Sequence, residues 1–572
     1  MAHDSRYLGS ARVIAVCTLL SRITGLARDM VINAVYGQNW VQDAFNYGFQ
    51  IPNLFRRLFG EGALSAVFVP SFTEVLDKQG RPAAWVLLGR VAGLMALLLT
   101  GLTILLEVVL LGVWLFAPGG QMRLLQLGLT AVMLPFMVSI CVLALFSSIL
   151  NCLHHFTVPA LMPIVLNILN MFGVLVVGKM LLGGPPERQI YGVAISVLAA
   201  SVLQLVIILP VLRKHGVHFR LSLDRSDPEI RRMGRIFFPV LLGQGVLLFS
   251  VFLDTQICTF LTRGPNDPPT FSFLGQAIGY PLQEGALSAV TNAQRLYQFP
   301  LGVLAISLAT AAFPLFSLYA SRGDMLGLRS TLGESLRVAV FEGLPSGAML
   351  IVLAVPTVSL LFERGLFGPE QTERAAWVLR FYGFGMAAFC CQQILLRGFY
   401  SLKDTLTPMW ISCYLVVLNL TLSLILVWRP SIREAAFGVS TSVTSWLHVF
   451  ISVWLLRRRM GGRIGARALI ASFARTIVAS AIAGVVAWLL LRWVGGFHLA
   501  RLGRTGMRAV QVFVPLSGAI IAYVAAAWGM RMPEVRWLIS RHGKAVAKAS
   551  AAGTATAARP DQSSSRDMPG GE

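Results

Sequence analysis

Stretches of roughly 20 apolar residues recur from one end of the 572-residue chain to the other, each long enough to cross a hydrocarbon layer of about 30 Å as a helix. Inside lipid a segment must satisfy its own backbone N–H and C=O groups, so this recurrence dictates an all-α polytopic membrane protein. The composition agrees: 13% of residues are charged and the mean hydropathy is +0.70, against about 25% charged in an ordinary soluble domain. A soluble enzyme with an anchor is excluded. The net charge of +22 raises the question of nucleic acid, but the basic residues cluster in short loops between apolar runs, where they set topology; no nucleic-acid partner is expected. The seven cysteines lie mostly within apolar runs and read as small hydrophobes. The apolar stretch 13–20 is short and runs into Ser21-Arg22, so it reads as a retained span and not a signal peptide.

Windows of about 19 residues, with Pro, Gly and charge clusters as boundaries, give fourteen spans: 10–35, 42–70, 83–116, 123–150, 158–182, 190–212, 236–261, 287–317, 335–362, 374–400, 408–428, 435–456, 467–493 and 509–530. Assigned alternately to two sides, the loops collect most Lys and Arg on the side of the termini, including 213–235 and Arg457-Arg458-Arg459. The positive-inside rule therefore puts both termini in the cytoplasm. The tail 533–572 is basic, then rich in Ala, Ser and Gly, and is expected to end in disorder.

The chain also repeats itself. FVPSF (68–72) matches AFPLF (312–316), HFTVP (155–159) matches DTLTP (404–408), and GVAISV (192–197) matches GVSTSV (438–443), at offsets of 244, 249 and 246. Asn170 and Asn419 each follow the matched proline by eleven residues. Two six-helix lobes result, 1–215 and 216–460, in parallel pseudo-repeat, with two extra helices in 461–532. That is the plan of transporters that rock two lobes around a midplane site. The stretch 263–286, rich in Pro and Gly, is an insertion in an external loop of the second copy.

Charges interrupt this pattern in three spans. Span one holds Arg22, Arg28 and Asp29; span two holds Asp43, Arg56, Arg57 and Glu61; span eight holds Arg295. Facing lipid, these eight would together cost on the order of 20 kcal/mol, more than a typical net folding stability of about 5–15 kcal/mol. They must face a watery cavity or each other. Arg57 and Glu61, four apart, read as a structural pair; Asp29 and Asp43 read as ion-pair or gating groups. Arg22, Arg28, Arg56 and Arg295 remain in excess of carboxylate, so the cavity should hold an anion, and arginine forks suit phosphate. A diphosphate joined to a lipid is the natural candidate. Gly25, Pro52, Gly60 and Gly62 should bend or open spans one and two. His154-His155 has no third ligand at metal spacing, so no metal is expected.

The segments SRITGLARD (21–29), DAFNYGFQIPNLFRRLFGEGALSAVFVP (43–70), RLYQFPLGVLAISLATAAFP (295–314) and GFYSLKDTLTP (398–408) resemble the signature of the MurJ (MviN) lipid II flippases. These belong to the multidrug/oligosaccharidyl-lipid/polysaccharide (MOP) exporter superfamily. The resemblance implies fourteen helices, a central cationic cavity, and a groove for the polyprenyl tail beside the last two helices. It matches Arg22, Arg28, Arg56 and Arg295 to substrate-binding positions, and Asp43 and Glu61 to acidic ones. Where the family usually carries acids flanking the span-eight arginine, this chain has Gln294 and Gln298. Some members resemble sodium-coupled carriers with an acid in span seven; here Asp254, with Asn419, is the candidate site for a monovalent cation such as sodium.

The expected activity is translocation of lipid II, the undecaprenyl-diphosphate-linked disaccharide-pentapeptide, across the bacterial inner membrane by alternating access. Membrane potential would supply the drive, since the chain has no Walker-type GxxxxGK[ST] loop. The expected partners are lipid II, membrane lipids and cell-wall synthesis enzymes, with the chain a monomer. Rival readings are an exporter of another lipid-linked oligosaccharide, a drug or cation antiporter of the same superfamily, and a non-transporting cell-wall scaffold. A membrane transferase would need clustered carboxylates at a membrane face, which are not found.

Overall fold

The computed structural model describes residues 2–116, 119–218, 220–224, 227–462, 465–496 and 503–535. The side chain of Glu61, and with it the expected Arg57–Glu61 pair, lies outside the described residues, as does the tail beyond 535. Seventeen α-helices follow one another: α1 (Ala2–Tyr36), α2 (Trp40–Phe55), α3 (Ala63–Phe116), α4 (Gln121–Met133), α5 (Phe136–Cys152), α6 (Thr157–Phe172), α7 (Pro186–Lys214), α8 (Pro228–Phe260), α9 (Ala286–Val303), α10 (Ala305–Ser321), α11 (Met325–Val352), α12 (Ala354–Phe362), α13 (Pro369–Ser401), α14 (Leu406–Leu426), α15 (Ala436–Arg459), α16 (Ala466–Gly495) and α17 (Gly503–Gly529).

Several of these join end to end, so that they make fourteen crossings among the described residues. The wide-turned π segment Arg56–Gly62 connects α2 to α3, and a second, Gly173–Leu182, prolongs α6. Gly80, at φ 80°, breaks α3 into two limbs ahead of Pro82, so the second crossing extends past the expected 70. Eleven of the described segments are apolar and long enough to span on that ground alone. The other three are α1, α2 with the π segment that follows it, and α8, and all three carry charges that the next subsection places in a cavity. The helix ends follow ordinary capping chemistry: Asn39 accepts from Val41 N and Gln42 N at the start of α2, and Asp227 accepts from Glu229 N ahead of α8.

Gly25 does not break α1, which runs as one continuous helix. The opening expected for the first two spans falls instead in the π segment 56–62, just after Pro52. There each residue is displaced along the helix surface relative to α geometry, as happens at functional sites.

Buried apolar residues gather into three clusters: one within 32–233, one within 258–460, and one that joins Phe341 of α11 to α16 and α17. Tyr523 Oη donates to Phe341 O at 2.6 Å and fixes the third cluster to the second. Asn170 accepts from Ser196 Oγ at 3.4 Å, and Asn419 bonds Ser440 Oγ at 3.3 Å, so both asparagines of the sequence repeat reach a serine on the following crossing. The linker between the first two clusters lies on α3. A Cβ on Gly89 or Gly93 would come within 2.1 Å of Arg220 O or 2.4 Å of Ser222 O, and Arg90 binds Asp224 at 2.8 Å and Asp227. The insertion 263–286 contains a hairpin, β1 (Thr270–Phe273) against β2 (Gln276–Gly279), turned at Leu274-Gly275 with φ 50° and 80°.

Candidate functional site

The two lobes meet at one end of the bundle, where backbone groups of one complete helix termini of the other. A helix leaves its first N–H and last C=O groups without partners inside the helix. Here Gly285 N and Ser288 N, at the start of α9, donate to Asp43 of α2 at 2.7 Å each, and Ser288 Oγ donates to the same carboxylate at 2.6 Å. Asp43 is fully buried. At the end of α1, Ala34 O accepts from Leu366 N at 3.0 Å. Three glycines in left-handed conformation allow this approach: a Cβ on Gly37, Gly285 or Gly365 would lie 2.9, 2.5 or 2.1 Å from a carbonyl oxygen of the facing lobe. Asn33 and Asn292 exchange amide hydrogen bonds across the same seam. Asp43 was expected to form an ion pair or gate; it makes no ion pair among the described residues, and its charge goes to a helix N-terminus instead.

Below the seam lies a cavity of about 1580 Å³ that reaches Asn151 and Pro159 toward the opposite end. Arg22, Arg28, Asp29, Arg56, Arg57, Asp254 and Arg295 all line it. Five guanidinium groups thus share one cavity with two carboxylates, and the excess that the sequence implied is present geometrically.

The ion pairs differ from the simplest sequence pairing. Arg22 and Asp29 sit seven apart on one helix face, yet Asp29 binds its neighbour Arg28 at 2.8 Å and Arg295 of the other lobe, also at 2.8 Å. The reason is position: the Arg295 side chain reaches Asp29 from α9, whereas Arg22 lies two turns away along α1 and places its guanidinium against Gly302. A Cβ there would be 2.4 Å from Arg22 Nη2. A cross-lobe bridge therefore forms at Arg295 although Gln294 and Gln298 stand where acids were expected; Gln294 instead donates to Tyr382 Oη at 3.1 Å. Arg28 also donates to Asn167 Oδ1, and Arg56 to Asn53 Oδ1, both at 3.1 Å. Arg22 and Arg57 make no hydrogen bond or ion pair among the described residues.

The structure brings Asp254 and Asn419 together. With its amide oriented to satisfy its neighbours, Asn419 donates to Asp254 Oδ1 at 3.0 Å and accepts from Ser440 Oγ at 3.3 Å and Thr441 N at 3.1 Å. Among the described residues no three His, Cys, Asp or Glu side chains converge as metal ligands.

Sequence reasoning missed the second wall of the cavity. Gln392 and Gln393 of α13 and Thr441, Thr444, Ser445 and His448 of α15 line it. Their signal was available as CCQQ (390–393) and STSVTSWLH (440–448), polar runs inside otherwise apolar spans, but uncharged residues are inexpensive enough in membrane helices to pass as packing.

Two lobes in parallel repeat around a polar, charge-bearing cavity, closed at one end, define a multi-pass membrane transporter. A solved multidrug-resistance MATE transporter of the MOP superfamily, in an inward-facing conformation, superposes with a TM-score of 0.59 at 13% identity over 79% of this chain and 98% of its own. A solved lipid II flippase MurJ in an inward closed conformation superposes at 0.68, with 20% identity over 90% of this chain and 99% of that one. The profile of the family described as "Lipid II flippase MurJ" matches residues 32–502, and the chain belongs to that family, one of transporters and not of enzymes. The Rhizobium tropici protein named probable lipid II flippase MurJ is 30% identical over 509 residues, covering 87% of this chain and 90% of that one. The Burkholderia cenocepacia lipid II flippase MurJ is 30% identical over 454 residues, 77% and 82% of the two chains.

Proposed function

We propose that this chain is a flippase that carries lipid II from the cytoplasmic to the outer leaflet of the bacterial inner membrane, as a monomer with both termini in the cytoplasm. The observation that carries this reading is the group of five arginines against two carboxylates in a cavity sealed at one end. In that orientation the seam faces outward and the cavity is open to the cytoplasmic leaflet. The diphosphate binds Arg22, Arg28, Arg56, Arg57 and Arg295 in place of their present neighbours, and loses little by leaving water because charge-assisted forks replace its hydration. The disaccharide-pentapeptide lies along the uncharged wall of α13 and α15. The undecaprenyl chain rests in lipid and in the apolar groove that Ala483, Val512, Leu516 and Ile520 open onto the cavity.

Once the anion draws Arg28 and Arg295 from Asp29, the bridge across the lobes is gone and the seam is free to part. An inside-negative potential favours outward movement of the anion, and moving one charge across 100 mV is worth about 2.3 kcal/mol. The same field returns the emptied, positive cavity inward. A monovalent cation such as sodium at Asp254 and Asn419 would add to the drive for one half-cycle. The test is protein-dependent flipping of fluorescent lipid II in proteoliposomes, with and without an imposed potential. Flipping that accelerates with an inside-negative potential supports the reading; folded protein that flips nothing overturns it.

A further inference from the structure

The last crossing is tied to the seam by a contact that transport of a head group alone does not require. Arg508, in the second turn of α17, donates to Glu363 Oε1 and to Glu363 O, both at 2.6 Å. Thr372 Oγ1 holds the other carboxylate oxygen at 3.0 Å. Glu363 opens the loop 363–368 between α12 and α13, and this is the loop whose Leu366 N completes the end of α1 and whose Gly365 packs on Ala34 O. Arg364 of the same loop reaches Met30 of α1.

On the helix, Arg508 lies one turn before Val512, and 508, 512, 516, 519 and 523 follow the i, i+3 and i+4 spacings of one face. Val512, Leu516, Ala519 and Tyr523 on that face line the cavity. A chain entering beside this face must therefore displace the surface that carries Arg508. Because the guanidinium holds both the side chain and the backbone carbonyl of Glu363, two-point contact transmits direction as well as pull.

We propose that Arg508 and Glu363 are positioning residues for the transport step, coupling occupancy of the groove beside α17 by a polyprenyl chain to release of the seam between α1 and loop 363–368. The proposal rests on the tail-groove part of the preceding reading. Its consequence is selectivity by tail: a soluble diphosphate fills the arginines without loosening the outer seam, whereas a lipid-borne one does both.

Hydrogen–deuterium exchange of the full chain in nanodiscs, with and without undecaprenyl phosphate, tests this. In the wild type the ligand should raise exchange of 363–368 by about tenfold, a modest allosteric coupling. Arg508→Gln and, separately, Glu363→Gln should show raised exchange without ligand, bind undecaprenyl phosphate as before, and lose the response. The exchanged pair Arg508→Glu with Glu363→Arg should restore it, which a purely structural contact would not predict for a ligand response. Binding without any change at 363–368 in the wild type, or an unaltered response in both single variants, overturns the coupling alone. Absence of undecaprenyl phosphate binding overturns the coupling together with the tail-groove reading.

Discussion

The two walls of the cavity come from copies of one six-crossing repeat, yet they carry different chemistry. The first copy contributes Arg22, Arg28, Arg56 and Arg57; the second contributes one arginine, Arg295, among Gln294, Gln298, Gln392, Gln393, Ser445 and His448. The shared scaffold supplies the rocking geometry, and the cavity side chains are free to diverge. On the proposed reading, this difference makes the anion travel chiefly with the first lobe. A site split evenly would divide its charge when the lobes part, and each half would then hold the ligand less well. Here only Arg295 has to let go or follow.

Reversing the charge of the first wall that pairs with Asp29 should break the asymmetry outright. Arg28→Glu sets a second carboxylate beside Asp29 and should abolish both complementation in depleted cells and flipping in vesicles, a loss above about a hundredfold given roughly 1.5–3 kcal/mol for each charged hydrogen bond removed; normal growth would sink the assignment of the cationic wall.

Removing the carboxylate that joins the walls at the seam comes next. Asp43→Ala strands Gly285 N, Ser288 N and Ser288 Oγ, so amide exchange at 285–288 should rise by about tenfold to a thousandfold, whereas Asp43→Asn should rise less because the amide still accepts.

A smaller effect sharpens the comparison from the second lobe's side. Gly302→Val pushes into the Arg22 guanidinium and should lower flipping about five- to tenfold, an approximate cost of 1 kcal/mol. Combined with Arg22→Ala it should add little, since both act on one group. On the neutral wall, Gln392→Leu removes only uncharged hydrogen bonding and should raise KM for lipid II by about two- to tenfold with kcat near normal. If Gln392→Leu costs as much as Arg22→Ala, the two walls are equal and the asymmetry is only apparent.

The smallest expected effect lies outside the membrane. Burial, then His215 and Lys214, pushes the His155 imidazole down, in the loop between α5 and α6. A depressed imidazole favours the neutral form in the folded chain. Its contribution is therefore full above the ordinary histidine value and is lost as pH falls through the lowered one. Thermal stability between pH 7.5 and 5.5 should drop about 1 °C more in the wild type than in His155→Asn.

Most of the architecture was legible in the sequence because lipid leaves few alternatives: fourteen apolar segments had to become helices, and their repeat fixed two copies. The cavity was legible for a related reason, since arginines inside spans cannot face lipid, and all of those assigned to the ligand do line one space. What escaped was set by geometry between distant segments. Nothing local in Asp43 says that its partners are two amides 242 and 245 residues away, and Asp29 and Arg295, 266 residues apart, meet only in the folded chain. The hairpin at 270–279 escaped because Leu274 holds a turn position where Asn or Gly is the usual signal. The expected break at Gly25 failed because glycine permits a bend without requiring one.

Because the seam is written largely in main-chain amides and carbonyls, most changes of side chain leave it untouched. Inherited variation can recolour the cavity walls while the seam keeps its fit; at Gly37, Gly285, Gly365, Asp43, Asn33 and Asn292 the spelling itself is under constraint. Divergence of the walls and constancy of closure are thus assigned to different atoms of the same chain.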